Sequence, residues 1–335
     1  MEDRHISLAH GNGGRYMREL IERIFCRHLA NPALDIHLDA APLALAADLV
    51  PFITTDSFTV QPLEFPGGDI GSLAVNGTIN DLAVSGAVPR FLTLNAIIEE
   101  GLEVACLDRV VKSLAAAAQS AGVCVVAGDT KVVPRGQGGG LYLATTGIGL
   151  RSPDVRLGMG RIREGDVLLV SGPIGDHGIS VMLAREEFEL RGEVVSDCAA
   201  VTPLTQPIAA MTGVRFMRDP TRGGLATVVH EIAQATAMNV RLSEQQIPVR
   251  DSVRSVCAML GYDPYHLACE GRVVAVVAPE TASDILGIWR DLPGGKGASM
   301  VGRMSAGPGR VILETEIGGE RFLEELEDDP LPRIC

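Results

Sequence analysis

Apolar residues along this chain switch repeatedly between a spacing of two and a spacing of three to four, and no other feature narrows its fold as much. Met17, Leu20, Ile21, Ile24, Phe25 and His28 recur at i, i+3 and i+4, so residues 15–29 read as an amphipathic helix ended by Asn31-Pro32. Strands are expected at 50–54, 91–98, 123–128 and 141–150, with helices at 69–86 and 103–121 between them. The small residues of the 69–86 segment suit close backbone packing. Periodicity lapses over 151–166 and then resumes. The second series has strands expected at 167–172, 214–219, 239–242, 272–278, 299–304 and 310–314, and helices at 177–190, 199–212, 223–235, 251–260 and 281–290. Such alternation excludes an all-helical or all-strand domain and points to α/β layers.

The lapse divides 335 residues, more than one hydrophobic core usually serves, into an expected first domain at 1–152 and a second at 153–318. Residues 319–335 read as a C-terminal tail, acidic and then PLPRIC, whose two prolines keep it out of a helix. With 46% apolar and 21% charged residues the chain has the material for packed cores. A net charge of −13 opposes a polyanionic partner, and 4% aromatic residues leave little for base stacking, so nucleic-acid binding is disfavoured. No apolar run approaches the roughly 20 residues of a membrane span, and the opening MEDRHISLAHGNGG lacks the order of a secretion signal. The expectation is a cytoplasmic protein with no membrane attachment.

Seven cysteines are odd in number and show no C-x-x-C pair or zinc spacing, which fits reduced thiols. Walker A and G-x-G-x-x-G signatures are both missing, so a phosphate compound would need another device to neutralise it. Asp56, Asp69, Asp81, Asp129 and Asp219 supply one. Asp56, Asp129 and Asp219 are read at strand ends and Asp69 and Asp81 in a helix, where hard oxygen ligands suit a divalent cation bridging phosphates. Each is equally open to reading as a helix cap or turn former. Gly11, Gly13 and Gly14 in HGNGG precede the first helix, either as backbone N–H groups that meet a phosphate or as a plain helix entry. Lys131 is one of only three lysines among 29 basic residues, and reads either as a functional cation or as a solvated charge. Glu270 is a general base or an edge charge. Cys335, the last residue, sits on a Pro-rich arm and suits a thiol that swings between sites, or is incidental.

Together HGNGG, TTDSF, FPGGDIG, NGTINDLAVSGA, AGDTKVV, SGPIGDHG, RDPTRGG, ACEG and the terminal PLPRIC resemble the HypE family of hydrogenase maturation proteins, the carbamoyl dehydratases. More distantly the chain is similar to the ATP-dependent superfamily of aminoimidazole ribonucleotide synthetase, selenophosphate synthetase and thiamine monophosphate kinase. The resemblance implies an α/β fold of mixed sheets (α+β in detail) in two domains, with a flexible C-terminal tail. It implies a homodimer formed through the first domain, and ATP held by Mg²⁺ and aspartates. Asp56, Asp69, Asp81 and Asp219 match the metal positions; Asp129 and Lys131 match the GDTK motif, and Glu270 matches an acid near the modified thiol.

The implied chemistry begins with the carbamoyltransferase HypF loading Cys335 as an S-carboxamide. The amide oxygen attacks the γ-phosphate of ATP, a base (Lys131 or Glu270) removes the N–H proton, and phosphate leaves. The resulting thiocyanate passes its cyano group to the iron-site assembly complex of HypC and HypD, for the [NiFe]-hydrogenase. A small-molecule kinase or synthetase of the same superfamily, and a non-enzymatic ATP-gated carrier, are the competing readings. The first has no use for a terminal thiol, and the second would bind ATP without releasing phosphate.

Overall fold

A computed structural model describes residues 4–12, 15–36, 40–185, 193–326, 331 and 334–335. The N-terminal amphipathic segment forms α1 (Arg15–Leu20), a π-helical stretch (Ile21–Cys26) and α2 (Arg27–Leu29), so the expected single α-helix is interrupted by a wider turn. Next come β1 (Val50–Phe58), the short hairpin β2 (Glu64–Phe65) and β3 (Gly68–Asp69), α3 (Ile70–Val84), β4 (Val88–Glu99), α4 (Val104–Ser120), β5 (Cys124–Val133) and β6 (Leu141–Arg151). The four long strands make one sheet in the order β1-β6-β4-β5, antiparallel except for the β4–β5 pair.

Helices α3 and α4 cover one face of this sheet. On α4, Leu107, Val110, Val111, Leu114 and Ala118 recur at helical spacing and are buried with Leu92, Leu94, Ala96 and Ile98 of β4. Each such large side chain contributes about 1.5–3 kcal/mol relative to exposure. The small residues of α3 permit the close packing expected of them: a Cβ on Gly71 would lie 2.3 Å from the Val110 carbonyl oxygen. The opposite face of the sheet is left open, with Ile53 72% and Ile97 39% exposed.

The second series is β7 (Val167–Val170), α5 (Asp176–Ala184), α6 (Thr202–Thr205), β8 (Val214–Arg218), α7 (Gly224–Thr236), β9 (Asn239–Ser243), α8 (Asp251–Leu260), β10 (Val274–Val277), α9 (Pro279–Arg290), β11 (Ser299–Ser305), β12 (Val311–Glu314) and β13 (Glu320–Phe322). Its seven strands run β13-β12-β9-β11-β7-β10-β8, antiparallel apart from the β9–β12 pair. Both faces are covered, which is why β7 and β10 read as continuous apolar runs. Leu168 and Val170 pack with Leu225, Val229 and Ile232 of α7, while Leu169 packs with Ile285 and Trp289 of α9. The sheets are mixed, as the resemblance implied.

Three expectations need correction. The helix expected at 199–212 is a single turn at Thr202–Thr205, since Pro203 and Pro207 remove two donors from a longer one. Asp56, Asp129 and Lys131 lie inside strands β1 and β5, not at strand ends or loop starts. Of the helix expected at 177–190, residues 186–190 lie outside the described residues. The strand β13 adds to the second sheet from within the stretch read as tail. Among the described residues no helix is long and apolar enough to cross a membrane.

Candidate active site

Strand alternation decides which face of β1 carries chemistry. Residues 51, 53, 55 and 57 are exposed on the open face, so Phe52, Thr54, Asp56 and Phe58 turn toward α3. There the Thr54 hydroxyl donates to Asp81 Oδ2 at 2.7 Å, and Gly77, one turn before Asp81, leaves room for the Phe58 ring. A Cβ at Gly77 would sit 2.8 Å from that ring. The loop after β8 brings Asp219, Thr221 and Arg222 to the same point, and the segment before β10 brings Glu270. These groups and Cys335 line one cavity of about 50 Å³, large enough for a group of a few heavy atoms on the thiol.

The acids in this cavity crowd one another. Burial first, then the neighbouring Asp81 carboxylate, push Asp56 up to about 6. Burial and Asp81 push Asp219 up to about 7. Glu270 is 2% exposed and held well above the usual carboxylate range by burial, with Asp219, Asp197, Asp56 and Asp81 adding to the effect. Among the described residues its buried Oε1 has no hydrogen-bond partner. The positive charges that act on these acids, exposed Arg222 on Asp56 and Arg218 on Asp219, are outweighed by burial and mutual repulsion, which leaves the cavity short of positive charge.

That deficit fits a divalent cation. Among the described residues no three His, Cys, Asp or Glu side chains are arranged to hold a metal ion by themselves. Mg²⁺ in phosphoryl-transfer sites is usually bound by one or two carboxylates and the substrate phosphates, so a ready-made protein cage is not required.

The backbone around Glu270 is fixed from two sides. Asn80 of α3 donates to the Ala199 and Glu270 carbonyls at 3.0 and 3.2 Å, and its Oδ1 accepts from Val201 N–H at 2.8 Å. Asp197 accepts from the N–H groups of Glu270 and Gly271 at 3.1 and 3.3 Å and pairs with Arg272 at 3.4 Å. Gly271 is required there, because a Cβ would lie 1.9 Å from the Asp197 carbonyl oxygen.

The chain terminus is seated against this cavity, where the sequence alone suggested an exposed arm. Leu331 and Ile334 are each 4% exposed, among Ile179, Met182, Val194, Val253 and Leu267. The Cys335 carbonyl accepts from Thr59 N–H at 3.3 Å.

The remaining sequence candidates lie elsewhere in the chain. Asp69 Oδ1 accepts from the N–H groups of Gly71 and Ser72 at 2.8 and 2.9 Å, the cap of α3. Asp129 and Lys131 pair with each other at 2.9 Å on β5, at the opposite edge of the sheet from β1. Three strand spacings separate those edges, about 14 Å. A Cβ on Gly11 would lie 2.8 Å from Val132, so the glycine segment abuts Lys131's strand. Gly13 and Gly14 lie outside the described residues. Asp129 also borders an apolar cavity of about 190 Å³, with Phe25, Leu34 and Leu94.

Sequence reasoning named no role for Thr54, Asn80, Asp197 or Arg222. Three of them sit inside or beside quoted motifs (TTDSF, NGTIND, RDPTRGG); Asp197 carries no local signal.

Comparison with known proteins gives a consistent result. Residues 37–151 match the AIR synthase related protein, N-terminal domain, and residues 163–314 match the C-terminal domain of the same family. The carbamoyl dehydratase HypE of Rhodobacter capsulatus is 45% identical, covering 100% of this chain and 99% of its own. A crystal structure of the hydrogenase maturation protein HypE in complex with ATP superposes with TM-score 0.93 at 42% identity, over 98% of this chain and 99% of that one. A chain from a HypE–HypF complex superposes with TM-score 0.80 at 41% identity, over 92% and 99% respectively.

Proposed function

The chain belongs to the HypE family of carbamoyl dehydratases, and on that premise we propose that it converts an S-carboxamide on its own Cys335 to a thiocyanate, with ATP as the phosphoryl donor. One observation carries this reading to the residue level: the terminal thiol lines the same small cavity as Asp56, Asp81, Asp219 and Glu270. A kinase or synthetase would have no reason to place its own C-terminus there.

In this reading the carboxamide oxygen attacks the γ-phosphorus, ADP leaves and one N–H proton passes to solvent, giving an O-phosphorylated imidate on sulfur that keeps a single N–H. Loss of the N–H proton and departure of phosphate through C–O cleavage then leave S–C≡N. One or two carboxylates from among Asp56, Asp81 and Asp219, together with the phosphates of ATP, would hold Mg²⁺, which would supply charge compensation for the phosphoryl oxygens. Glu270 is the base, because within one chain it shares the cavity with Cys335 while Lys131 does not. Its raised pKa suits the task, since a carboxylate is a stronger base the more its charged form is disfavoured.

Lys131 and Asp129 enter through assembly. The open face of the first sheet carries Ile53, exposed at 72%, together with Ile97 opposite Lys131 in register. We take this face as a homodimer interface that delivers Lys131 and Asp129 of one protomer to the cavity of the other. HypF would load the carbamoyl group, and HypC with HypD would accept the cyano group, in the cytoplasm where thiols stay reduced. The test is single-turnover dehydration of carbamoyl-loaded protein with and without a chelator. Phosphate release that needs both the loaded tail and the divalent cation supports the reading; release without the tail contradicts it.

A further inference from the structure

Helix α5 carries a histidine that this reaction scheme leaves without work. His177 is fully buried, and its two ring nitrogens have separate partners: Nδ1 lies 2.8 Å from the Ser196 hydroxyl and Nε2 lies 2.9 Å from the carbonyl oxygen of Ile334. A carbonyl only accepts, so Nε2 carries the proton and donates to Ile334, and Nδ1 accepts from the Ser196 hydroxyl. Ser196 in turn accepts from Cys198 N–H at 3.0 Å, and its own N–H donates to the Pro66 carbonyl at 2.9 Å. The Phe65 ring meets the imidazole edge-on at 5.4 Å, which fixes the ring plane. Burial lowers the His177 pKa, in keeping with a neutral ring.

Every partner of this imidazole belongs to the body of the protein except one. The exception is the residue directly before Cys335. Leu331 and Ile334 fill an apolar recess among Ile179, Met182, Val253 and Leu267, and Thr59 holds the Cys335 carbonyl from the other wall. Two side chains and two carbonyls are thus engaged beside the acidic cavity that Cys335 lines.

We propose that His177 is a positioning residue that seats the C-terminal arm, through its hydrogen bond to the Ile334 carbonyl, so that the group on Cys335 faces Glu270. When the arm leaves to be loaded, the donor loses its acceptor, which favours return of the arm. This deepens the function proposed above and rests on Cys335 being the reacting thiol.

The test uses the full chain and two independent readouts. Limiting iodoacetamide followed by mass mapping reports how often Cys335 is out of its seat, whatever the chemistry. Single-turnover water loss from the carbamoyl-loaded tail reports the reaction. His177→Phe keeps a ring against Phe65 and removes the donor, whereas His177→Gln keeps an N–H near the Nε2 position. In His177→Phe, Cys335 alkylation should rise and water loss should fall, each about ten- to hundredfold, the range expected for one lost buried hydrogen bond, with half-saturating ATP unchanged. His177→Gln should recover most of both. Equal alkylation of Cys335 in wild type and His177→Phe, or a Gln variant as impaired as the Phe variant, overturns the proposal. If His177→Phe does not fold, His177→Asn replaces it, because its amide reaches the Nδ1 position beside Ser196 and falls short of the Ile334 carbonyl: faster alkylation supports the proposal, and an unchanged rate overturns it. A wild-type tail that never loses water sinks the dehydratase reading, while the alkylation comparison still decides the role of His177.

Discussion

Replacing Asp219 by Asn should make the metal-free protein more stable and inactive, and the gain should depend on pH with a definite sign. Asp219 is 5% exposed and its carboxyl is raised from 3.8 to about 7 by burial and by Asp81. Between those two values the folded chain keeps a proton that the unfolded chain has released. Stability is therefore lost as pH climbs through this window. A rise from 3.8 to about 7, at about 1.36 kcal/mol per pH unit, corresponds to about 4 kcal/mol, and because Asp219 shares its cavity with other carboxylates we expect about 2–4 kcal/mol. Asn is close to isosteric and cannot ionise, so Asp219→Asn should gain that amount over wild type at pH 8 and almost none near pH 4. Urea unfolding across this range, without divalent cations, measures the difference. Mg²⁺ with ATP should then stabilise wild type more than the variant, because the variant lacks one of the candidate carboxylate ligands. A pH-independent offset, or a variant less stable than wild type at pH 8, would refute the electrostatic account of the cavity.

Three further outcomes follow from the site. Glu270→Gln should accept the carbamoyl group normally and then lose water about 10²–10⁴-fold more slowly, the contribution of a positioned base, measured by mass mapping of a time course. Ile53→Arg places a charge on the open face of the first sheet and should shift the protein from dimer to monomer in sedimentation at micromolar concentration; an unchanged mass removes that face from the interface. Lys131→Ala and Cys335→Ser should each be inactive alone, and mixing them after dissociation should restore about a quarter of wild-type dehydration, since half of randomly formed dimers hold one complete site. No recovery would mean that Lys131 does not act across the dimer.

The parts of this protein that were legible in its sequence are those where local pattern and packing agree. Helix α4 and strands β4 and β6 follow their periodicity because one face of each is buried along its whole length. Segment 199–212 misled because apolar spacing was weighed above Pro203 and Pro207, and its apolar residues serve one helical turn and the chain around it packed on α9, where the Trp289 indole donates to the Leu204 carbonyl at 2.9 Å. The π-helical stretch at Ile21–Cys26 has no sequence marker, since a widened turn shifts the register of side chains by only one residue.

Among the site acids, residue type alone could not separate the roles. Asp69 caps a helix and Asp129 pairs with Lys131, whereas Asp56, Asp81, Asp219 and Glu270 meet, because only their elements converge where the two sheets adjoin. His177 stood inside a motif noted for resemblance, SGPIGDHG, yet its partner lies 157 residues away, a pairing that no local pattern encodes.

The central claim is that the C-terminal thiol is itself the reacting centre, and mass mapping of the C-terminal peptide tests it most directly. The purified chain would be incubated with carbamoyl phosphate, ATP, Mg²⁺ and HypF, then digested and read at every cysteine. The account predicts that Cys335 alone gains a carbamoyl group and then loses one water, and only when ATP is present. Modification at Cys269, Cys198 or any other thiol, or water loss at Cys335 without ATP, would contradict it.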